Sequence, residues 1–193
     1  KKAIDEPLFG KNITAKSKHP KTGVIRCATV EYEQYLQEKN PNRMSNAKFE
    51  AWLAPLVKKE TEFRKSAKSK ATKEIIKIPV VVHVIHNGEA IGTAPNITDA
   101  QVQSQITVLN QDFRKMLNTP GYNNHPDGAD IEIEFVLAKQ DPNGNPTNGI
   151  DRVNMCATSW SDTDIDNIVK PATIWDPEQY MNMWSVKFSN NKV

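Results

Sequence analysis

The sequence predicts an α+β domain, α/β-like in its strand–helix–strand beginning, with a twisted mixed sheet, a long backing helix and a small helical unit in front. Three observations predict it. Ile75 to Ile85 (IIKIPVVVHVI) is rich in β-branched residues and suits a buried strand. Val102, Ile106, Leu109, Phe113 and Met116/Leu117 then recur at spacings of three and four, the period of an amphipathic helix. Finally, charge divides the chain: residues 1–74 carry a balance of +8 and residues 75–193 one of −6.

With 193 residues the chain holds one large domain or two small ones. Apolar residues make up 38% and mean hydropathy is −0.60, polar for a globular protein but compatible with a core. No apolar run approaches the roughly 20 residues that span a bilayer, so a membrane partner is not expected. Two cysteines are too few for a disulfide scaffold or a zinc finger. A nucleic-acid partner is not expected either, because the N-terminal lysines are scattered with few aromatics between them.

The elements follow in order. Residues 1–24, punctuated by Pro7, Gly10, Pro20 and Gly23, read as loop or extended chain. Val24 to Ala28 reads as a short extended stretch. Thr29 looks like the N-cap of a helix near 30–39 that carries Tyr32, Tyr35 and Leu36, ended by Asn40-Pro41. Ser45 caps a second helix with Phe49, Trp52, Leu53, Leu56 and Val57, where Pro55 predicts a kink or an early stop. Lys58 to Lys73 holds seven basic residues (Lys58, Lys59, Arg64, Lys65, Lys68, Lys70 and Lys73) and almost no apolar one. It reads as a protease-sensitive linker or an exposed helix. The expected division is therefore 1–57, 58–74 and 75–193.

In the third part, Pro79 indicates that one side of the first strand is unpaired. Thr98 with Gln101 forms a capping box, and Ile97 with Val102 a hydrophobic staple, for a helix running to about Leu117. Residues 118–130 read as a loop, Ile131 to Leu137 alternates as a strand, and Tyr180 to Phe188 is a further strand after a short helical turn near Asp176-Pro177-Glu178.

Chemistry-bearing groups are sparse. There is no HExxH, GxSxG, Walker or GxGxxG motif. His83 and His86 lie three apart, which on a strand places them on opposite faces, so a satisfied core imidazole is the expected role for each. His125 sits in a polar loop and is expected to be solvated, and nothing is assigned to His19. Asp141, Asn143 and Asn145 place oxygens at alternate positions, as the first half of a calcium loop does. Turn chemistry accounts for the same residues and is the favoured reading. Asp162, Asp164 and Asp166 read as charge at a helix N-terminus. Cys27 and Cys156 have three readings: a mutual disulfide, inert buried thiols, or a thiolate metal ligand, which Arg26 would favour at Cys27. Spacing does not decide among them.

Residues 76–188 resemble the N-terminal half of the catalytic domain of pappalysin-type zinc metalloproteases, a branch of the metzincins. The resemblance is carried, in family order, by Ile78 to Ile85 (IPVVVHVI), Leu109 to Arg114 (LNQDFR), Asp141 to Ile150 (DPNGNPTNGI), Asp151-Arg-Val-Asn, Trp175-Asp-Pro and Tyr180 to Val186 (YMNMWSV). The N-terminal third resembles the pro-segment of bacterial members, with Arg26-Cys27-Ala-Thr and Tyr32-Glu-Gln-Tyr-Leu as the stretch that carries their cysteine switch.

The resemblance implies a secreted zinc endopeptidase held latent by its pro-segment, acting on protein or peptide substrates that add as strands to the sheet edge. It implies Cys27 as an inhibitory zinc ligand and 58–74 as the region of activating cleavage. The zinc-binding helix is not among these 193 residues, so the chain alone is expected to be inactive and to need a C-terminal catalytic segment, in the same or a companion chain. Exposed apolar surface and poor stability are expected at the Tyr180–Phe188 strand. The alternative is a non-catalytic binding or inhibitory module on a protease-like scaffold.

Overall fold

The computed structural model describes residues 29–65 and 75–189, and the chain divides into two units, Lys1–Thr72 and Lys73–Val193. In the first unit, α1 (Thr29–Lys39) and α2 (Asn46–Lys65) are joined by a short turn. Ser45 serves α2 as expected, its Oγ accepting from the Lys48 N–H at 3.4 Å. The turn is tied back to α1 by Arg43, whose Nε and Nη2 reach the Glu33 carboxylate at 2.9 and 2.7 Å. Pro55 does not stop α2, which continues for ten residues beyond it. Helix-favouring Lys, Glu, Ala and Leu on either side outweigh the one main-chain bond that proline removes. The helix therefore also crosses the expected 57/58 boundary without a break. Phe49, Trp52, Leu56 and Phe63 remain exposed on it.

The second unit is built on β1 (Ile76–His86). One edge of β1 pairs first with β2 (Ile133–Leu137), Ile76 to Val80 matching Ile133 to Leu137, and then with β3 (Ile150–Asn154), Val82 to His86 matching Ile150 to Asn154. The other edge pairs with β4 (Met181–Ser185), Val80 to Val84 matching Met181 to Ser185. All three ladders are parallel, and among the described residues antiparallel pairing is limited to the Gln140–Pro146 bridge. Ile76 and Val82 donate their N–H groups to Glu132 O and Gly149 O, so the even-numbered residues face β2 and β3. Odd-numbered Pro79 therefore faces the β4 side, one residue before that ladder opens at Val80. Its missing N–H costs no sheet bond, but the unpaired side that the sequence reading expected is not found, since β1 pairs along both edges.

Val80 to Ile85 are all buried, because both faces of β1 are covered. On one face, Val80, Val82 and Val84 pack with Phe135 of β2 and with Val102 and Ile106 of α3 (Asp99–Phe113). On the other, Ile85 packs with Ile165 and Val169 from a helical stretch made of α4 (Asp162–Asp164), a π-helical turn (Ile165–Val169) and α5 (Lys170–Thr173). Burying each Val or Ile contributes about 1.5–3 kcal/mol, so this strand supplies much of the core.

The Thr98–Gln101 capping box forms in both directions. The helix ends at Phe113 rather than Leu117, since Lys115 and Asn118 adopt left-handed backbone at φ 45° and 63°. Likewise β2 starts at Ile133, after Glu132 at φ 59°. The sequence reading did not anticipate β3 or the 162–173 helical stretch.

Two polar clasps fix these layers. Asn110 of α3 holds the outer edge of β2, its Nδ2 donating to Phe135 O at 2.9 Å and its Oδ1 accepting from Phe135 N–H at 2.7 Å. Arg152 of β3 reaches the start of α3, donating to Asn96 Oδ1 at 2.6 Å and Ile97 O at 2.7 Å and pairing with Asp99. Where β2 hands over to β3, Gly149 has φ +76°, and a Cβ there would lie 2.7 Å from Ala138 N. Gly149→Ala is expected to lower the stability of the chain by about 1–3 kcal/mol, through left-handed strain and backbone contact. Urea unfolding checks this, and an unchanged midpoint would contradict it.

Candidate functional site

The most elaborate polar constellation lies inside the sheet. His83 is fully buried on the central strand. Its Nδ1 lies 2.8 Å from Asp151 Oδ2 on β3 and its Nε2 lies 2.8 Å from Asn182 Oδ1 on β4. The register sets this up, because β1 pairs His83 with Asp151 on one edge and with Trp184 on the other. The Trp184 ring stacks on the imidazole at 5.2 Å, and Trp175 meets it edge-on at 6.1 Å. An Asp–His pair is also the orienting half of a general-base dyad. Here the second ring nitrogen is taken by Asn182 and no face of the ring is open, so His83 cannot reach a substrate. It is the satisfied core imidazole that the sequence predicts. Asp151, Trp175 and Asn182 as its partners were beyond the sequence reading, since only the register brings residues 68 and 99 positions away beside it.

The remaining candidates are dispersed. His86 is half-buried at the end of β1, with Nδ1 accepting from Gly88 N–H at 3.0 Å, and lies on the sheet face opposite His83. His125 is exposed, with Nδ1 accepting from Asp127 N–H at 3.2 Å. Cys156 is exposed and free, at φ 55°, so the inert buried-thiol reading does not describe it. Cys27 and His19 lie outside the described residues, as do Lys68, Lys70 and Lys73. Lys58, Lys59, Arg64 and Lys65 all fall within α2.

Asp141, Asn143 and Asn145 form a closed turn. Asp141 Oδ1 accepts from the Asn143 and Asn145 N–H groups at 2.9 and 2.8 Å, and its Oδ2 accepts from Asn145 Nδ2 at 3.1 Å. Asn145 thus presents nitrogen, not oxygen, toward the carboxylate, and the turn reading accounts for all three residues without calcium. Asp164 and Ser161 likewise cap the short helix, the Asp164 N–H donating to Ser161 Oγ at 3.1 Å, and Asp166 pairs with Lys170 at 2.6 Å.

Among the described residues, no three His, Cys, Asp or Glu side chains are arranged to hold a metal ion. With His83 occupied at both nitrogens and His86 on the other face, the described residues do not fit zinc. Among the same residues no helix is long and apolar enough to cross a membrane. Beside the β4 edge lies a cavity of about 320 Å³, lined by Val82, Ile97, Val102, Gln105, Met183 and Trp184 among others.

Against this geometry, the chain is similar to solved structures of one protein. It is 38% identical to mirolysin in complex with a compound, over 61% of this chain and 44% of that one, with a TM-score of 0.50. It is 41% identical to Tannerella forsythia mature mirolysin in complex with a cleaved peptide, over 57% and 42% of the two chains, TM-score 0.47. It is 36% identical to a mutant of Tannerella forsythia promirolysin, over 74% and 48%, TM-score 0.47. The chain thus spans a little under half the length of the proteins it matches. No protein-family model and no curated protein matches it.

Hydrogen bonds from Asn145, main chain first and then side chain, hold the Asp141 carboxyl below its ordinary value of 3.8. A carboxyl lowered in the folded state stabilises the turn above the ordinary Asp range and ceases to do so as the pH falls through its own lower value. On acid titration, the Asn143 and Asn145 amide resonances are expected to move with a midpoint below 3.8. A midpoint at or above it would mean the carboxylate does not hold the turn.

Proposed function

We propose that this chain is the front part of a metzincin-type metalloprotease zymogen of the pappalysin branch: a pro-segment followed by the N-terminal sheet of the catalytic domain. The observation that carries this reading is the likeness to mirolysin, a metzincin-type metalloprotease, at 38% identity and a TM-score of 0.50. The family motifs in their order along residues 76–188 support the same reading. The whole protein would be a secreted endopeptidase that hydrolyses peptide bonds with zinc-activated water. Its zinc ligands and general base would come from outside these residues, so no catalytic step is assigned to this chain.

In the latent protein, Cys27 would stand where the zinc's water belongs, and a thiolate there excludes the nucleophile. Activation requires cleavage between the two units. Its site would lie within 58–74, and because proteases bind their substrates extended, Lys58, Lys59, Arg64 and Lys65 would be cut only where α2 unwinds.

The test is made on the full-length precursor in a peptide-cleavage assay before processing. Cys27→Ala is expected to raise the unprocessed activity by about tenfold or more, whereas the 193-residue chain shows none. Unprocessed activity equal to wild type would remove Cys27 from the latency mechanism. Peptidase activity of the 193-residue chain itself would overturn the reading as a whole.

A further inference from the structure

We propose that Asn87-Gly88 is a self-modification site, at which His86 acts as general base for the loss of the Asn87 side-chain amide. Asn-Gly occurs three times in the chain, at Asn87-Gly88, Asn143-Gly144 and Asn148-Gly149. At such a step the glycine main-chain nitrogen can attack the asparagine side-chain carbonyl carbon, since glycine has no Cβ to obstruct it. The attack needs a free carboxamide, an open nitrogen and a base to take the proton.

Two of the steps lack one or more of these. Asn148 is locked, its Oδ1 accepting from Ile150 N–H at 3.0 Å and its Nδ2 donating to Asp99 at 3.5 Å. Gly149 beside it is buried, with its N–H on Thr147 Oγ1 at 3.1 Å. Asn143 is exposed and its side chain makes no hydrogen bond among the described residues. The Gly144 N–H, however, donates to the Asp141 carbonyl at 3.0 Å. A carbonyl accepts a hydrogen bond but is far too weak a base to remove the proton.

At Asn87 the acceptor is an imidazole. The Gly88 N–H donates to His86 Nδ1 at 3.0 Å, within the roughly 2.6–3.2 Å over which a general base works. The Asn87 carboxamide makes no hydrogen bond among the described residues and is free to turn over the Gly88 nitrogen. The two approaches do not compete. The proton leaves within the peptide plane, toward His86, whereas the carbon arrives from above that plane. Gly88 is exposed, at φ +91°, and leaves room for the adduct and for water.

A bond forms between Gly88 N and Asn87 Cγ as the Gly88 proton passes to His86 Nδ1. The Cγ–Nδ2 bond of Asn87 then breaks, and His86 returns the proton to the departing ammonia. Water opens the resulting succinimide at either carbonyl, which leaves aspartate or isoaspartate at position 87. The change falls on the connection between β1 and α3. There Glu89 Oε2 accepts from Asn87 N–H at 2.7 Å, and Glu89 O accepts from Asn96 Nδ2 at 2.7 Å. Isoaspartate adds one main-chain atom just before Glu89 and a carboxylate beside it, so both fastenings loosen.

The test is to incubate the 193-residue chain at one fixed neutral pH, folded and in urea. The three Asn-Gly peptides are followed by mass spectrometry, with isoaspartate scored by fragmentation. In the folded chain Asn87 is expected to react about tenfold faster than Asn143, with Asn148 slowest. Asn87 is also expected to react about tenfold faster folded than in urea, a conservative share of what a positioned general base supplies. His86→Gln keeps a polar side chain without the base, and is expected to bring Asn87 down to the Asn143 rate while Asn143 is unchanged. Asn87 no faster in the folded chain than in urea, or unaltered by His86→Gln, would overturn the proposal. The folded-to-urea comparison on the wild-type chain decides it alone should the variant fail to fold.

Discussion

Everything in the second unit depends on the pairing of β1 along both of its edges. A single 11-residue strand must satisfy β2 and β3 in succession on one side and β4 on the other. Buried on both faces over Val80 to Ile85, it has no polar face to spare, which is why it reads as a continuous β-branched run rather than an alternation. The handover between β2 and β3 has to be abrupt, and Gly149, with a backbone that admits no Cβ, makes it so.

Hydrophobic burial discriminates weakly among registers of β1 itself, since its buried run is almost entirely Val and Ile. Polar groups discriminate more sharply. Asn110 holds the β2 edge to α3, Arg152 holds β3 to the start of α3, and His83 holds β1 to β3 and β4 at one level. Each leaves unpaired polar groups if the register slips, at a cost of about 1–3 kcal/mol per group. These residues and their partners fall within the segments that carry the protease resemblance: His83 in IPVVVHVI, Asn110 in LNQDFR, Asp151 and Arg152 in DRVN, and Asn182 in YMNMWSV. In the described residues those segments are devices of assembly, which agrees with a scaffold whose proposed chemistry is supplied by residues beyond it.

What the sequence made legible follows from how local each signal is. Strand β1 and helix α3 declare themselves through period and composition, and the Thr98 cap through two residues three apart. His83 as a satisfied core group followed from its place in an apolar strand. Strand β3 was hidden because Asp151, Arg152 and Asn154 make it look like loop, although both charged side chains, Asp151 and Arg152, have partners elsewhere in the fold. The 162–173 helical stretch was hidden by its π-helical turn, which breaks the 3.6-residue period on which helix reading relies. The ends of α3 and β2 moved inward because Lys115 and Glu132 take left-handed backbone, for which neither residue type gives warning. Cys27 and the last three lysines of the basic run lie outside the described residues, so the roles proposed for them rest on the family resemblance alone.

The claim that this chain is scaffold and latency segment, with the metal held by residues beyond it, is tested most directly by zinc stoichiometry. Metal content is measured by mass spectrometry on the 193-residue chain and on the full-length precursor, each loaded with zinc and dialysed. The account predicts about one zinc per full-length molecule and none retained by the 193-residue chain. A full equivalent of zinc held tightly by the 193-residue chain, or none by the precursor, would contradict it.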